Sequence, residues 1–208
     1  LRDLESDAEG YATPVRVTPD ALEIVLALTR RFLAHEAYPG KAVRLVRSVL
    51  STPGTVRDGY RWYEARDVFD AFKRLTGLPD FILGAEPPRT RESIRASLGA
   101  MVAGQPEAIE AVTDVVVTMQ RSLSDPEKPL ATYLFVGPTG VGKTETARAL
   151  ATYLFGSPSR MVRFDMSEFA SSVSVTRLVG HAGAPDGELA LSLRTQPFTV
   201  VLFDEIEK

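Results

Sequence analysis

The sequence contains no cysteine, two histidines and a single tryptophan. Without thiols, disulfide bridges, thiolate nucleophiles and cysteine-bound zinc are all excluded. The histidines, His35 and His181, have no acidic partners at metal-ligand spacing and read as surface or core residues, so any metal would be held by oxygen. No run approaches eighteen consecutive apolar residues, and Leu1-Arg2-Asp3-Leu4-Glu5 lacks the basic-then-apolar pattern of a signal peptide. Neither sign of charge dominates: 24 Lys and Arg stand against 27 Asp and Glu, a net charge of −3. Nothing therefore draws the chain as a whole to nucleic acid or to a membrane, and a cytoplasmic location is the expectation. What is present is ordinary for a soluble globular protein: 208 residues, 44% apolar and 25% charged, enough for one large or two small domains.

The first third has helical periodicity. Thr18-Pro19-Asp20 supplies an N-cap, a proline at the first helical position and an acid in the first turn. Leu22, Val25, Leu26, Thr29, Phe32 and Leu33 then share one face, and Tyr38-Pro39-Gly40 ends the helix. Ala42, Leu45, Val46, Val49 and Leu50 repeat the period, with Lys41, Arg44 and Arg47 expected towards solvent. Ala65, Val68, Phe69, Phe72 and Leu75 mark a third helix, stopped by Gly77 and Pro79, so residues 14–79 are expected to form a small three-helix unit. Tyr60, Trp62 and Tyr63 precede it, and packing is their simplest role. Gly84-Ala85-Glu86-Pro87-Pro88 reads as a linker, because glycine followed by two prolines ends any helix.

Beyond it, Ile94, Leu98, Met101 and Val102 suggest one helix, and Pro106 opens another whose face is Ile109, Val112, Val115, Val116 and Met119. The period then gives way to unbroken runs. Residues 131–136 (Ala-Thr-Tyr-Leu-Phe-Val) and 200–203 (Val-Val-Leu-Phe) read as strands buried on both faces of a parallel sheet, with 161–165 as a weaker third. Helical segments separate them, so residues 85–208 are expected to form an α/β domain.

Directly after the first run comes Gly137-Pro138-Thr139-Gly140-Val141-Gly142-Lys143-Thr144, the Walker A pattern. Strong helix formers follow it. The glycines let backbone amides wrap around phosphates, the helix N-terminus adds partial positive charge, Lys143 reaches the β- and γ-phosphates, and Thr144 offers its hydroxyl to magnesium. Sixty-one residues after Lys143, the run 200–203 ends in Asp204-Glu205. That is a Walker B pattern, with Asp204 as support for magnesium and Glu205 to polarise the attacking water. ATP and Mg2+ are the cofactors this pair of patterns calls for, with Glu205 and Lys143 as the catalytic residues.

On these residues the sequence resembles the Clp family of AAA+ protein unfoldases and disaggregases. The words that carry the resemblance are Val102-Ala103-Gly104-Gln105-Pro106-Glu107-Ala108-Ile109, then Gly137 to Thr144, then Arg163-Phe164-Asp165-Met166-Ser167-Glu168-Phe169, then Val200 to Lys208. These match the family's second ATPase module. The first third is similar to the helical lid of its first module, through Arg31-Phe32-Leu33, Pro39-Gly40-Lys41-Ala42-Val43 and Thr76-Gly77-Leu78-Pro79. The resemblance implies a lid and join over residues 1–84, the front of a second AAA+ module over 85–208, and Val102 and Ala103 beside the adenine. It also implies ATP hydrolysis that remodels protein substrates, a homo-hexameric ring and a peptidase as a further partner.

Two departures accompany the resemblance. The long coiled-coil insertion of disaggregase members is absent, since only about fifteen residues lie between Leu50 and Ala65. No aromatic residue occurs between Phe169 and Phe198, where the family carries an aromatic loop that grips threaded polypeptide. Either Gly180-His181-Ala182-Gly183 is a substituted version of that loop, or Gly183-Ala184-Pro185-Asp186-Gly187 aligns before it and the loop is deleted. An assembly switch that cycles nucleotide without threading anything is the alternative this raises. The family's next strand, its polar sensor and its arginine finger would all follow Lys208, so the residues are expected to be a segment of a longer chain.

Overall fold

The computed structural model describes residues 13–33, 36–121, 129–138, 140–181, 183 and 186–208. His35, expected to be a surface or core residue, lies outside the described residues, as do Thr139 and Ala182. The chain divides into two compact units, residues 1–88 with 119–130, and residues 89–118 with 131–208.

The first unit begins with strand β1 (Val15–Val17) and helix α1 (Pro19–Phe32), capped by the Thr18 hydroxyl, which accepts from the Ala21 amide. Helix α2 (Gly40–Leu50) follows, then strands β2 (Thr55–Arg57) and β3 (Tyr60–Tyr63), helix α3 (Ala65–Thr76) and the short helix α4 (Asp80–Leu83). Glu64 and Asp67 form a reciprocal capping box at the start of α3, and Gly77 closes it in the left-handed conformation. Of the faces predicted from periodicity, Val25 and Thr29 of α1, Leu45, Val46 and Val49 of α2, and Val68 and Phe72 of α3 are buried, whereas Leu26 and Leu75 are exposed and Ala21, Leu28 and Ala71 are buried in addition.

Two expectations are corrected here. The unit is not purely helical, because β1, β3 and β2 form a three-stranded sheet with β1 parallel and β2 antiparallel to β3. Tyr63 of the central strand is fully buried, and its hydroxyl lies within hydrogen-bonding distance of the Thr52 (2.7 Å) and Leu50 (3.0 Å) carbonyls, tying the sheet to the end of α2. Lys41 does not face solvent either. It is buried, its ammonium donating to the Leu33 carbonyl at 2.9 Å and lying over the Tyr38 ring. The long stem lets the charge reach the Leu33 carbonyl at the end of α1, which also accepts from the Glu36 amide at 3.1 Å.

The second unit contains helices α5 (Arg91–Met101), α6 (Pro106–Gln120, whose last two residues belong to the first unit) and α7 (Lys143–Phe155), strand β4 (Met161–Asp165), helices α8 (Ser172–Val179) and α9 (Glu188–Thr195), and strand β5 (Val200–Asp204). Arg91 holds α5 to α6 through Glu110 and Asp114, and those two carboxylates, Asp114 foremost, raise the Arg91 pKa above its ordinary value. Strands β4 and β5 pair in parallel, Asp165 opposite Asp204 and Phe164 opposite Phe203. Phe164, Phe169 and Leu178 form the core under one face of this pair, with Val162, Met166, Leu189 and Val201 packed against it. The fold is therefore α/β with parallel strands, as expected.

The strand expected over 131–136 does not form. No ladder pairs it among the described residues, and Leu134 and Val136 are 72% and 86% exposed. A buried parallel strand needs neighbours on both edges to satisfy its backbone, and among the described residues β5 pairs with β4 alone. For the same reason β5 is half-buried rather than covered on both faces.

Candidate nucleotide site

The candidate site lies wholly in the second unit, where the loop 137–142 runs into α7. Gly142 precedes the helix with φ of 103°, a left-handed conformation that a side chain would strain, and its carbonyl accepts from both the Thr146 amide and the Thr146 hydroxyl. Those bonds fix the first turn of α7. They place Lys143 and Thr144 at the N-terminus of a thirteen-residue helix, where the macrodipole favours anions. Gly137, Pro138 and Gly140 are exposed and Val141 half-buried, whereas Thr139 lies outside the described residues. The Lys143 ammonium donates to the loop's own carbonyls, Gly137 at 2.6 Å and Pro138 at 2.9 Å, and so stands over the loop.

Strand β5 delivers Asp204 to the same place. The Thr144 hydroxyl is 3.5 Å from Asp204 Oδ2, although sixty positions separate them in the chain. Asp204 Oδ1 accepts from the Glu205 amide at 3.1 Å. Glu205 itself is exposed and has φ of 55°, a left-handed backbone rarely adopted outside glycine, asparagine and aspartate. The turn directs the chain out of β5 immediately after the aspartate. A hydroxyl and a carboxylate oxygen this close form a hard-oxygen donor set of the kind magnesium accepts alongside phosphate and water.

Val102 is buried at the end of α5 and Ala103 is exposed beside it. A cleft of about 480 Å3 is lined by residues that include Arg91, Arg95, Val102, Gly104, Gln105 and Ile109. A methyl group placed on Gly142 would sit 3.9 Å from Gln105 Cγ, so the 102–106 segment passes beside the loop. The fold thus gathers Lys143, Thr144, Asp204 and the 102–106 segment around one loop. His181 is exposed, its Nδ1 accepting from the Gly183 amide.

Sequence reasoning missed Arg163. Its guanidinium Nη2 is 2.9 Å from Asp204 Oδ2 and 3.9 Å from Asp165 Oδ2. The signal was available as strand alternation, since Arg163 and Asp165 share one face of β4 while Phe164 turns into the core. Asp165 also accepts from the Ser167 hydroxyl and amide, and these bonds, with Arg163 a lesser influence, hold its pKa below the ordinary value.

Residues 128–208 match the family model described as AAA domain (Cdc48 subfamily). The chaperone protein ClpB of Enterococcus faecalis is 46% identical over 140 residues, covering 65% of this chain and 16% of the relative. ClpB of Chlamydia muridarum is 41% identical over an alignment that covers 100% of this chain and 23% of the relative. Among solved structures, the closed-state reconstruction of Hsp104 with ATPγS and FITC casein superposes with a TM-score of 0.73 at 30% identity, covering all of this chain and 37% of that one. The Saccharomyces cerevisiae Hsp104–ADP complex gives a TM-score of 0.70, also at 30% identity, with the same coverage. The chain spans less than a quarter of the length of these curated relatives. Residues 128–208 thus match an AAA domain, and the chain as a whole is similar to the Clp-family chaperones ClpB and Hsp104.

Proposed function

We propose that this chain binds ATP with magnesium at the 137–144 loop and hydrolyses it, as part of a Clp-type machine that remodels protein substrates. The observation that carries the reading is the approach of Thr144 to Asp204 across sixty residues of sequence, at the N-terminus of α7. In this reading residues 1–84 serve as the lid and join of a preceding module, and 85–208 as the front of a second. A hexameric ring and a cytoplasmic setting complete it. The relatives support remodelling over a switch that threads nothing, since Hsp104 has been captured with casein.

Thr144 and Asp204 are the residues that would hold magnesium, and the metal, when bound, neutralises charge on the β- and γ-phosphates. Lys143 exchanges its bonds to the Gly137 and Pro138 carbonyls for phosphate oxygens, so a cation already poised over the loop moves little on binding. Loop amides and the α7 N-terminus hold the phosphates in line, while Val102, Ala103 and their neighbours flank the base. Glu205 orients a water whose oxygen attacks the γ-phosphorus as the β–γ bridging bond breaks. The water's proton passes to the Glu205 carboxylate, and ADP departs. Glu205→Gln keeps the shape and the Asp204 contact but cannot accept that proton. Nucleotide affinity is expected to stay within about twofold while turnover falls about 10²- to 10⁴-fold. Unchanged turnover in a phosphate-release assay would overturn the assignment of Glu205.

A further inference from the structure

The oxygen of Asp204 that approaches Thr144 is also the one that receives Arg163. Oδ2 lies 3.5 Å from the Thr144 hydroxyl and 2.9 Å from Arg163 Nη2. Asp165, in register with Asp204 on the neighbouring strand, places a second carboxylate beside it, with Oδ2 3.9 Å from the same guanidinium nitrogen. Two parallel strands thus end in a pair of like charges, and Arg163 stands between them. An exposed ion pair adds little to stability, so the position of this one is more informative than its strength. The Asp204 side chain is 21% exposed and that of Arg163 50%, so the carboxylate is the more enclosed of the two and the cation has open access to water.

Building on the nucleotide-site reading above, we propose that Arg163 is a positioning residue that occupies Asp204 Oδ2 until magnesium takes its place, then withdraws towards Asp165. In the metal-free site it neutralises the carboxylate that would otherwise repel an incoming triphosphate. In the metal-loaded site it competes with the divalent ion for one oxygen. Removing it must therefore change the coupling between nucleotide and metal, and by linkage that coupling is the same whichever ligand is titrated.

The test is titration of the full chain with a fluorescent ATP analogue, in EDTA and in saturating magnesium, for wild type, Arg163→Gln, Arg163→Lys and Asp165→Asn. Arg163→Gln is expected to weaken binding about tenfold in EDTA and to leave it within about twofold in magnesium. The magnesium concentration for half-maximal binding falls by the same factor. Arg163→Lys restores most of the EDTA affinity. Asp165→Asn, which keeps an acceptor for the Ser167 amide, removes the alternative partner and moves the magnesium midpoint upward, giving an independent reading should Arg163→Gln fold poorly. An equal loss with and without metal, as from a merely structural role, or midpoints that do not move, would overturn the role of Arg163 alone. A wild-type chain that binds no nucleotide in either condition would overturn the site reading and this inference with it.

Discussion

Glu205 leaves β5 on a left-handed backbone, and strain and chemistry can be separated there. Holding φ at 55° costs a non-glycine residue about 1–2 kcal/mol, while glycine loses about 0.5–1 kcal/mol of extra chain entropy on folding. Glu205→Gly is therefore expected to raise the unfolding free energy of the second unit by about 0.5–1 kcal/mol and to lose turnover as Glu205→Gln does. Urea denaturation checks it, with a higher midpoint at unchanged slope as the expected result; a lower midpoint would show that the turn is not strained. The meeting of Thr144 with Asp204 was legible because the two patterns fix those residues at the start of a helix and the end of a strand. Arg163 was not, because its partner is fixed by strand pairing forty-one positions away. Lys41 misled for a different reason: the amphipathic rule assigns lysine to water, but its stem spans buried space to reach the Leu33 carbonyl.

Helices α1, α2, α3, α5 and α6 were readable because each carries several apolar residues at helical period, although α1 ends at Phe32, before the Tyr38-Pro39-Gly40 stop, and α5 at Met101, before Gly104. The three- and four-residue strands of the first unit offer too few positions to show a period of two. The hairpin between β2 and β3 did leave a signal: Asp58-Gly59 lies between β-branched and aromatic residues, and both adopt positive φ, 52° and 75°. A methyl group on Gly59 would meet nothing within 4 Å, so its substitution isolates the backbone contribution. Gly59→Ala is expected to destabilise the first unit by about 1–2 kcal/mol, and Gly59→Asn by clearly less, since asparagine tolerates this conformation. Equal losses from both would place the constraint in side-chain contacts. Hydrogen exchange on the β3 amides provides the local readout.

For the molecule as a whole, the segment before the loop makes the sharpest demand. Residues 132–136 are β-branched, aromatic or leucine, uncharged and free of proline, the composition that associates edge to edge when left unpaired. Here Tyr133 and Phe135 stack on each other at 6.4 Å between ring centroids, Tyr133 reaches the Ala111 carbonyl, and Leu134 and Val136 are open to water. Phe203 on β5 adds a further apolar surface at 40% exposure. The sequence reads this run as a core strand, and that reading fails for want of a neighbour, not for want of β propensity. Leu134→Lys should therefore slow concentration-dependent light scattering of the chain severalfold while leaving its unfolding midpoint unchanged, because an exposed leucine contributes little to the folded state. In any longer protein where 131–136 lies between two strands, the same substitution buries a charge and costs several kcal/mol. Measuring both separates the two environments. A midpoint that drops in this chain as well would mean that Leu134 is already covered, and would contradict the exposure on which the expectation rests.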